Sequence, residues 1–232
     1  MEKGSTTTAE LSKYVSKFIS ENFGKGPEFV HVSIGETLIT VYIRNFITPP
    51  EKVLLNQNKE QRVEETRDLV MASLIPEIKA NIYQITGMKV NEFYYDWGLH
   101  NKSAMFTCVC SDETSVGNGL ESDYEGKKEM EDEVARISEV AQKVPEELNS
   151  YRLNERTYLF IRNGILVSIE KELIRDGLQE KLRLAKRKLE KRLLHNNTHF
   201  ETILNTKVID IFVDWDFDLD KSIFLFITNP TN

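Results

Sequence analysis

The sequence predicts an α+β protein made of two related halves. Each half reads helix-hairpin-helix-hairpin, with an antiparallel-type four-stranded sheet covered by helices, and the two form an intramolecular pseudo-dimer. Three observations predict this. First, a stretch occurs twice: Val90 answers Val208, Asp96-Trp97 answers Asp214-Trp215, and Lys102-Ser103 answers Lys221-Ser222 after one inserted residue. The residues just before agree as well, Ile85-Thr86-Gly87-Met88-Lys89 against Ile203-Leu204-Asn205-Thr206-Lys207, and the chain's 2 tryptophans are the two in this repeat. Second, alternation of period two gives way to apolar spacing of three and four in the same order in both halves. Third, 232 residues suit two small domains. The expected boundaries are residues 9–110 for the first copy, an acidic linker over 111–128, and 129–229 for the second copy.

Residues 1–7 carry no apolar pattern and are expected to be disordered. Thr8 is a plausible N-cap, with Glu10 in the first turn and Leu11, Tyr14, Val15, Phe18 and Ile19 forming a stripe at helical spacing. Gly24-Lys25-Gly26-Pro27 ends that helix. Val30, Val32 and Ile34 then alternate with polar residues, Gly35-Glu36 turns, and a β-branched strand returns from Thr37 towards Ile47. Thr48-Pro49-Pro50-Glu51 is a capping box with proline in the first turn. The helical stretch it opens should break near Asn56-Gln57-Asn58 and can bend at Pro76. Gly87 caps it, and Asn205, the other residue that tolerates a left-handed cap, stands at the same place in copy two. In copy two the pattern gives a helix over 129–148, a hairpin of 158–161 and 165–169 around an Asn163-Gly164 turn, and a helix over 178–204. The final hairpin follows.

Composition excludes several classes. Hydrophobic content of 40% with charged content of 29% fits an ordinary globular protein. No apolar run reaches the ~18–20 residues of a membrane helix, and the N-terminus lacks the apolar core of a secretory signal. Cys108 and Cys110 share a strand face and fit disulfide geometry poorly, which reads as cytoplasmic thiols. A net charge of −7 argues against general nucleic-acid binding.

Several constellations invite a chemical reading. His195 and His199 lie four apart, at metal-ligand spacing, but without the glutamate of a zinc-protease helix; with the two cysteines they suggest a composite zinc site, against a plain polar helix end. Asp210, Asp214, Asp216, Asp218 and Asp220 look like calcium ligands but lack the EF-hand glycine and glutamate. The alternative is a half-buried strand with Trp215 inward and an acidic outer face. Lys181, Arg183, Lys186, Arg187, Lys188, Lys191 and Arg192 surround Leu178, Leu182, Ala185, Leu189 and Leu193. This basic amphipathic helix suits anionic lipid, phosphate or an acidic partner, or else is a core helix with a solvated back. No metal site is expected among these, no cofactor motif is present, and no nucleophile or paired carboxylates stand out, so no catalytic residue is assigned.

Gly24-Lys25-Gly26-Pro27, an alternating hairpin, Thr48-Pro49-Pro50-Glu51-Lys52, Arg67 in the long helix and Ile85-Thr86-Gly87 follow one another in the first half. In that order they resemble the MpsC-like family, a domain of unknown function named for a Na+-translocating membrane-potential-generating system. The resemblance covers about residues 9–112; copy two lacks the Gly-Lys-Gly-Pro and Thr-Pro-Pro-Glu-Lys motifs and reads as a diverged second domain. The resemblance implies a bacterial setting and a link to ion or inorganic-carbon transport. The resulting expectation is a non-enzymatic cytoplasmic binding or regulatory subunit, peripheral to the inner face of the membrane, whose partner is a transport assembly or an acidic protein. The motif residues Lys25, Glu51 and Arg67 are its candidate ligand-binding residues. The alternatives are a sensor holding a small anion between the repeats and a metal-dependent enzyme.

Overall fold

The structure, a computed structural model, describes residues 2–111 and 121–229. The chain divides into two units, Met1–Gly119 and Leu120–Asn232. The first contains α1 (Glu2–Phe23), β1 (Phe29–Ile34), β2 (Leu38–Arg44), α2 (Pro49–Asn56), α3 (Glu60–Thr86), β3 (Val90–Gly98) and β4 (Ser103–Cys110). Its four strands pair antiparallel in the order β1-β2-β4-β3. Because alternate strand residues share a face, Ile39, Val41 and Ile43 of β2 line up with Ala104, Phe106 and Cys108 of β4. Leu11, Val15, Phe18 and Ile19 of α1 and Val63, Met71, Ile78 and Ile82 of α3 close over that face.

The capping signals act as the sequence implies. Thr48 accepts the Glu51 N–H at 3.4 Å, and Glu51 Oε2 accepts the Thr48 N–H at 2.8 Å. The expected break falls between α2 and α3, where Asn58 takes a φ of 53°. Gly87 ends α3 at φ 75°, and Asn205 ends its counterpart at φ 47°. The N-terminus differs from expectation: α1 begins at Glu2, six residues before the expected cap, since no proline or cap interrupts it.

The second unit contains α4 (Lys127–Ala141), β5 (Glu147–Asn154), β6 (Thr157–Asn163), α5 (Ser168–Arg175), α6 (Gln179–His195), α7 (His199–Leu204), β7 (Val208–Asp216) and β8 (Lys221–Thr228). Its strand order, β5-β6-β8-β7, repeats that of the first unit, and all pairs are antiparallel. The protein is thus α+β with two similar domains.

The expected Asn163-Gly164 hairpin turn is overturned. The hairpin is β5–β6, and its turn is organised by Asn154, whose side chain accepts the Arg156 N–H at 2.9 Å. Gly164 instead ends β6 at φ 64°, and the Glu146 side chain occupies the place a Cβ would take. The helix expected over 129–148 stops at Ala141, ahead of Pro145, and residues 147–148 open β5. The helix expected over 178–204 is two, α6 and α7. Part of the expected linker, residues 112–120, lies outside the described residues. Of the rest, Tyr124 is buried in the second core and donates from its hydroxyl to Ser150 at 2.9 Å.

The repeat also needs shifting by one residue in its last hairpin. Arg44 pairs with Ser103, and its counterpart Asn163 pairs with Lys221. The hairpin therefore carries no insertion: Ser103 corresponds to Lys221 and Lys102 to Asp220. The matching Lys-Ser letters in the sequence do not occupy matching places.

Candidate functional site

Glu51 and Arg67, two of the sequence-predicted site residues, are bound to each other. Thr48 and the first turn of α2 hold the Glu51 carboxylate, and Arg67, from the buried side of α3, donates to it twice, at 2.7 and 2.9 Å. The guanidinium lies 4.2 Å from the Phe46 ring centroid and 5.1 Å from that of Trp97. Burial pushes the Glu51 carboxyl up, but the bonds and charge of Arg67 together with Thr48 bring it below the usual range. Asp68, next on α3, accepts the Trp97 indole N–H at 2.7 Å. With both Glu51 oxygens committed, the pair is a strut between α2, α3 and β3, while the buried Arg67 Nη1 has no hydrogen-bond partner among the described residues.

The second unit repeats the strut. Glu170 stands three residues into its short helix entry, and its carboxylate accepts the Val167 N–H at 3.0 Å; Val167 has no side-chain oxygen, and its carbonyl accepts the Glu170 N–H at 3.1 Å. Lys186 reaches Glu170 at 2.6 Å across the same separation of 16 residues as in the first pair, and lies 5.3 Å from the Trp215 ring. Asp68 is answered by Arg187, so the Trp215 indole N–H has no hydrogen-bond partner among the described residues.

Beside this strut the second core departs from the first. Ile19, Ile43, Met71 and Ala104, all buried and apolar, correspond to Ser138, Arg162, Glu190 and Ser222. Arg162 is fully enclosed and donates to Ser222 Oγ at 2.7 Å, Ser138 Oγ at 2.9 Å and Glu190 Oε2 at 2.7 Å, with its guanidinium 3.9 Å from the Phe224 ring. Burial pushes the Arg162 guanidinium down while Glu190 pushes it up. Lys186 lies 3.7 Å from Glu190, which joins the cluster to the strut. Sequence reading missed this cluster. Its signal was Glu190, the single acid within the basic run, four residues after Lys186.

The basic surface expected on this helix is corrected accordingly. The buried side of α6 is Leu182, Lys186, Arg187, Glu190 and Leu194, whereas Ala185 is exposed. Arg183 turns to Asp214, and Lys191 is half-buried. Only Lys181, Lys188 and Arg192 of the seven are exposed. The helix is rotated by about one residue from its leucine stripe because the buried acids draw the cations inward. Asp214 and Asp210 are likewise buried rather than part of an acidic outer face.

The proposed metal constellations do not assemble. His195 Nδ1 sits 2.8 Å from the Lys191 carbonyl, and His199 Nδ1 is 3.3 Å from Glu133. Cys108 and Cys110 form no disulfide and are buried in the first core, where burial pushes the Cys108 thiol well up. Among the described residues no group of three or more His, Cys, Asp or Glu could hold a metal ion.

Lys25, the third predicted residue, sits apart from Glu51 and Arg67. It follows the end of α1, where Gly24 at φ 77° sends its N–H to Ser20 at 3.1 Å. Lys25, Gly26, Pro27 and Glu28 line a groove of about 460 Å³ with Asn45, Ile47, Lys52 and Lys102. The two motifs that contribute Lys25 and Lys52, far apart in sequence, thus meet at one place. Lys25, Lys52 and Lys102 are exposed and make no salt bridge among the described residues, while Glu28 accepts from the Asn45 side chain at 2.5 Å.

The model of the family described as "Na+-translocating membrane potential-generating system (MpsC)" matches residues 3–112, which is the first unit and not the second. The chain is 30% identical over 112 residues to the uncharacterised protein YbcI of Bacillus subtilis, covering 47% of this chain and 90% of that protein. No solved structure matches. Among the described residues no helix is long and apolar enough to cross a membrane. With nine-tenths of such a relative covered and the family's motifs framing both the Glu51–Arg67 strut and the lysine groove, the chain belongs, through its first unit, to the MpsC family.

Proposed function

We propose that the chain is a non-enzymatic binding or regulatory subunit serving a membrane ion-transport system from the cytoplasmic face. One observation carries the reading. The motif residues Thr48 and Glu51 are committed to the helix cap and to Arg67, and the remaining motif side chains Lys25 and Lys52 are cations lining an open groove. Such an arrangement can bind and be read, but it offers no nucleophile and no acid–base pair. The family's printed description supplies the membrane setting. We also propose that residues 129–229 are a diverged copy of residues 9–110, joined through 111–128. The shared strand order, the left-handed caps Gly87 and Asn205, and the repeated glutamate-cation-tryptophan strut support this.

The test is genetic and electrical. Deleting the gene in its host, and following membrane potential with a potential-sensitive dye during a sodium pulse, should give an altered response restored by the intact gene. Identical traces with and without the gene would overturn the reading.

A further inference from the structure

Asp220 shows what the first unit's groove is shaped to hold. In the second unit, Gly164 at φ 64° donates its N–H to the Asp220 carbonyl at 2.8 Å, and Asp220 itself is left-handed, at φ 49°. The Asp220 carboxylate then collects three donors. The Ile165 N–H reaches Oδ1 at 2.8 Å, the Leu166 N–H reaches it at 2.7 Å, and Lys171 Nζ reaches Oδ2 at 2.9 Å. Two successive backbone N–H groups following a left-handed residue make a concavity suited to an anion.

The first unit builds the same concavity. Asn45, at φ 60°, donates its N–H to the Lys102 carbonyl at 2.8 Å, and Lys102 is left-handed at φ 54°. Phe46 and Ile47 follow, as Ile165 and Leu166 follow Gly164, and all four are buried. Lys52 bonds back to the cap residue Thr48 as Lys171 does to Val167, at 3.0 and 3.2 Å. One component differs: where the second unit has the Asp220 carboxylate, the first has the Lys102 ammonium. Among the described residues the Phe46 and Ile47 N–H groups make no hydrogen bond to the protein. Buried N–H groups are seldom left so. Lys25 adds another cation to the rim, and Glu28, tied to Asn45, is the one acid.

We infer that this groove binds a small oxyanion, taken by the Phe46 and Ile47 N–H groups and by Lys52, Lys102 and Lys25, at the place the Asp220 carboxylate fills in the second unit. The second unit carries its anion as a side chain; the first takes one from solution. The inference goes beyond the proposed function and stands on its own, since binding is read on isolated protein whatever membrane system it serves.

The test is amide NMR of the full chain, titrated with inorganic phosphate and with acetate, against sodium chloride at matched ionic strength. The Phe46 and Ile47 amides should shift saturably with phosphate or acetate, at least fivefold more than with chloride. Phosphate alone would mark a tetrahedral anion, and acetate a carboxylate; either supports the site. Lys102→Asp, which installs the second unit's own acid at a left-handed position that aspartate tolerates, should fill the concavity from within. It should weaken binding at least tenfold, with both amides already shifted without ligand. Lys52→Gln, which leaves the loop intact, should weaken binding at least threefold. Linear responses equal to those in chloride, or both variants binding like the parent chain, would overturn the site.

Discussion

Arg67 and Lys186 occupy the same place in the two units, each bonded to the glutamate 16 residues earlier and each lying against its unit's tryptophan. Both are almost fully buried, at 1% and 5% exposure. Truncating one partner of a buried pair leaves the other charge stranded. Arg67→Ala and Lys186→Ala should therefore each cost about 3–5 kcal/mol. Arg67→Lys, which copies the second unit, should recover more than half of that loss. Denaturant unfolding followed by tryptophan emission in Trp215→Phe and Trp97→Phe backgrounds assigns each loss to its unit; losses under 1 kcal/mol would deny the strut its role.

The polar cluster around Arg162 predicts opposite results for one change and for four. Arg162→Ile alone strands Glu190 and should destabilise by about 3–5 kcal/mol. Exchanging the whole cluster for the first unit's residues, Ser138→Ile, Arg162→Ile, Glu190→Met and Ser222→Ala together, should be neutral or stabilising by about 1–4 kcal/mol. Thermal and denaturant midpoints decide it. A quadruple variant no better than Arg162→Ile would mean that the cluster is irreplaceable.

At the entry to α2, Thr48→Ala removes the acceptor of the Glu51 N–H and should cost about 1 kcal/mol. The denaturant midpoint should fall with m unchanged, and an unmoved midpoint would show that Glu51 alone holds the helix entry.

Much of this was legible in the sequence, because caps and turns are local. Thr48-Pro49-Pro50-Glu51 and the Gly87/Asn205 pair act as their letters imply. What was illegible depends on partners distant in sequence. The apolar stripe of α6 pointed to Leu178, Ala185 and Leu189, but Glu170 and Arg162 pull Lys186 and Glu190 inward and turn the helix. Asn163-Gly164 carried a hairpin signal because a left-handed residue serves a turn and a strand end alike; Asp220, 55 residues beyond Ile165, decides which. Lys25 and Lys52 stood out as motif letters, while Lys102 drew notice only as a repeat match, displaced by one residue.

Glu133 sets a pH signature for the second unit. The Arg136 hydrogen bond, chiefly, against some burial, and aided by Asn197 and His199, brings its carboxyl from 4.5 to about 2. A depressed folded value means that the contribution is complete above the ordinary carboxylate range and is lost as pH falls from about 4.5 towards 2. Arg136 is 54% exposed, so solvent screens the pair and the effect is modest. Glu133→Gln should flatten the fall of stability across that window relative to the parent chain. Parallel pH curves for the two proteins would refute the assignment.

The charged heart of the second unit has a further consequence during folding. Two units with one topology on one chain can exchange elements, a recognised failure of tandem domains. If α6 docked on β1–β4, Glu190 and Lys186 would meet Ile43 and Ala104; if α3 docked on β5–β8, Met71 would leave Arg162 without its acid. Either mispairing strands a buried charge, whereas the correct pairing gives Arg162 the Glu190 carboxylate and Lys186 the Glu170 carboxylate. The cluster thus works as a password between elements of the same half, and refolding of the quadruple apolar variant should yield more swapped, dimeric or aggregated product by size-exclusion chromatography than refolding of the parent chain.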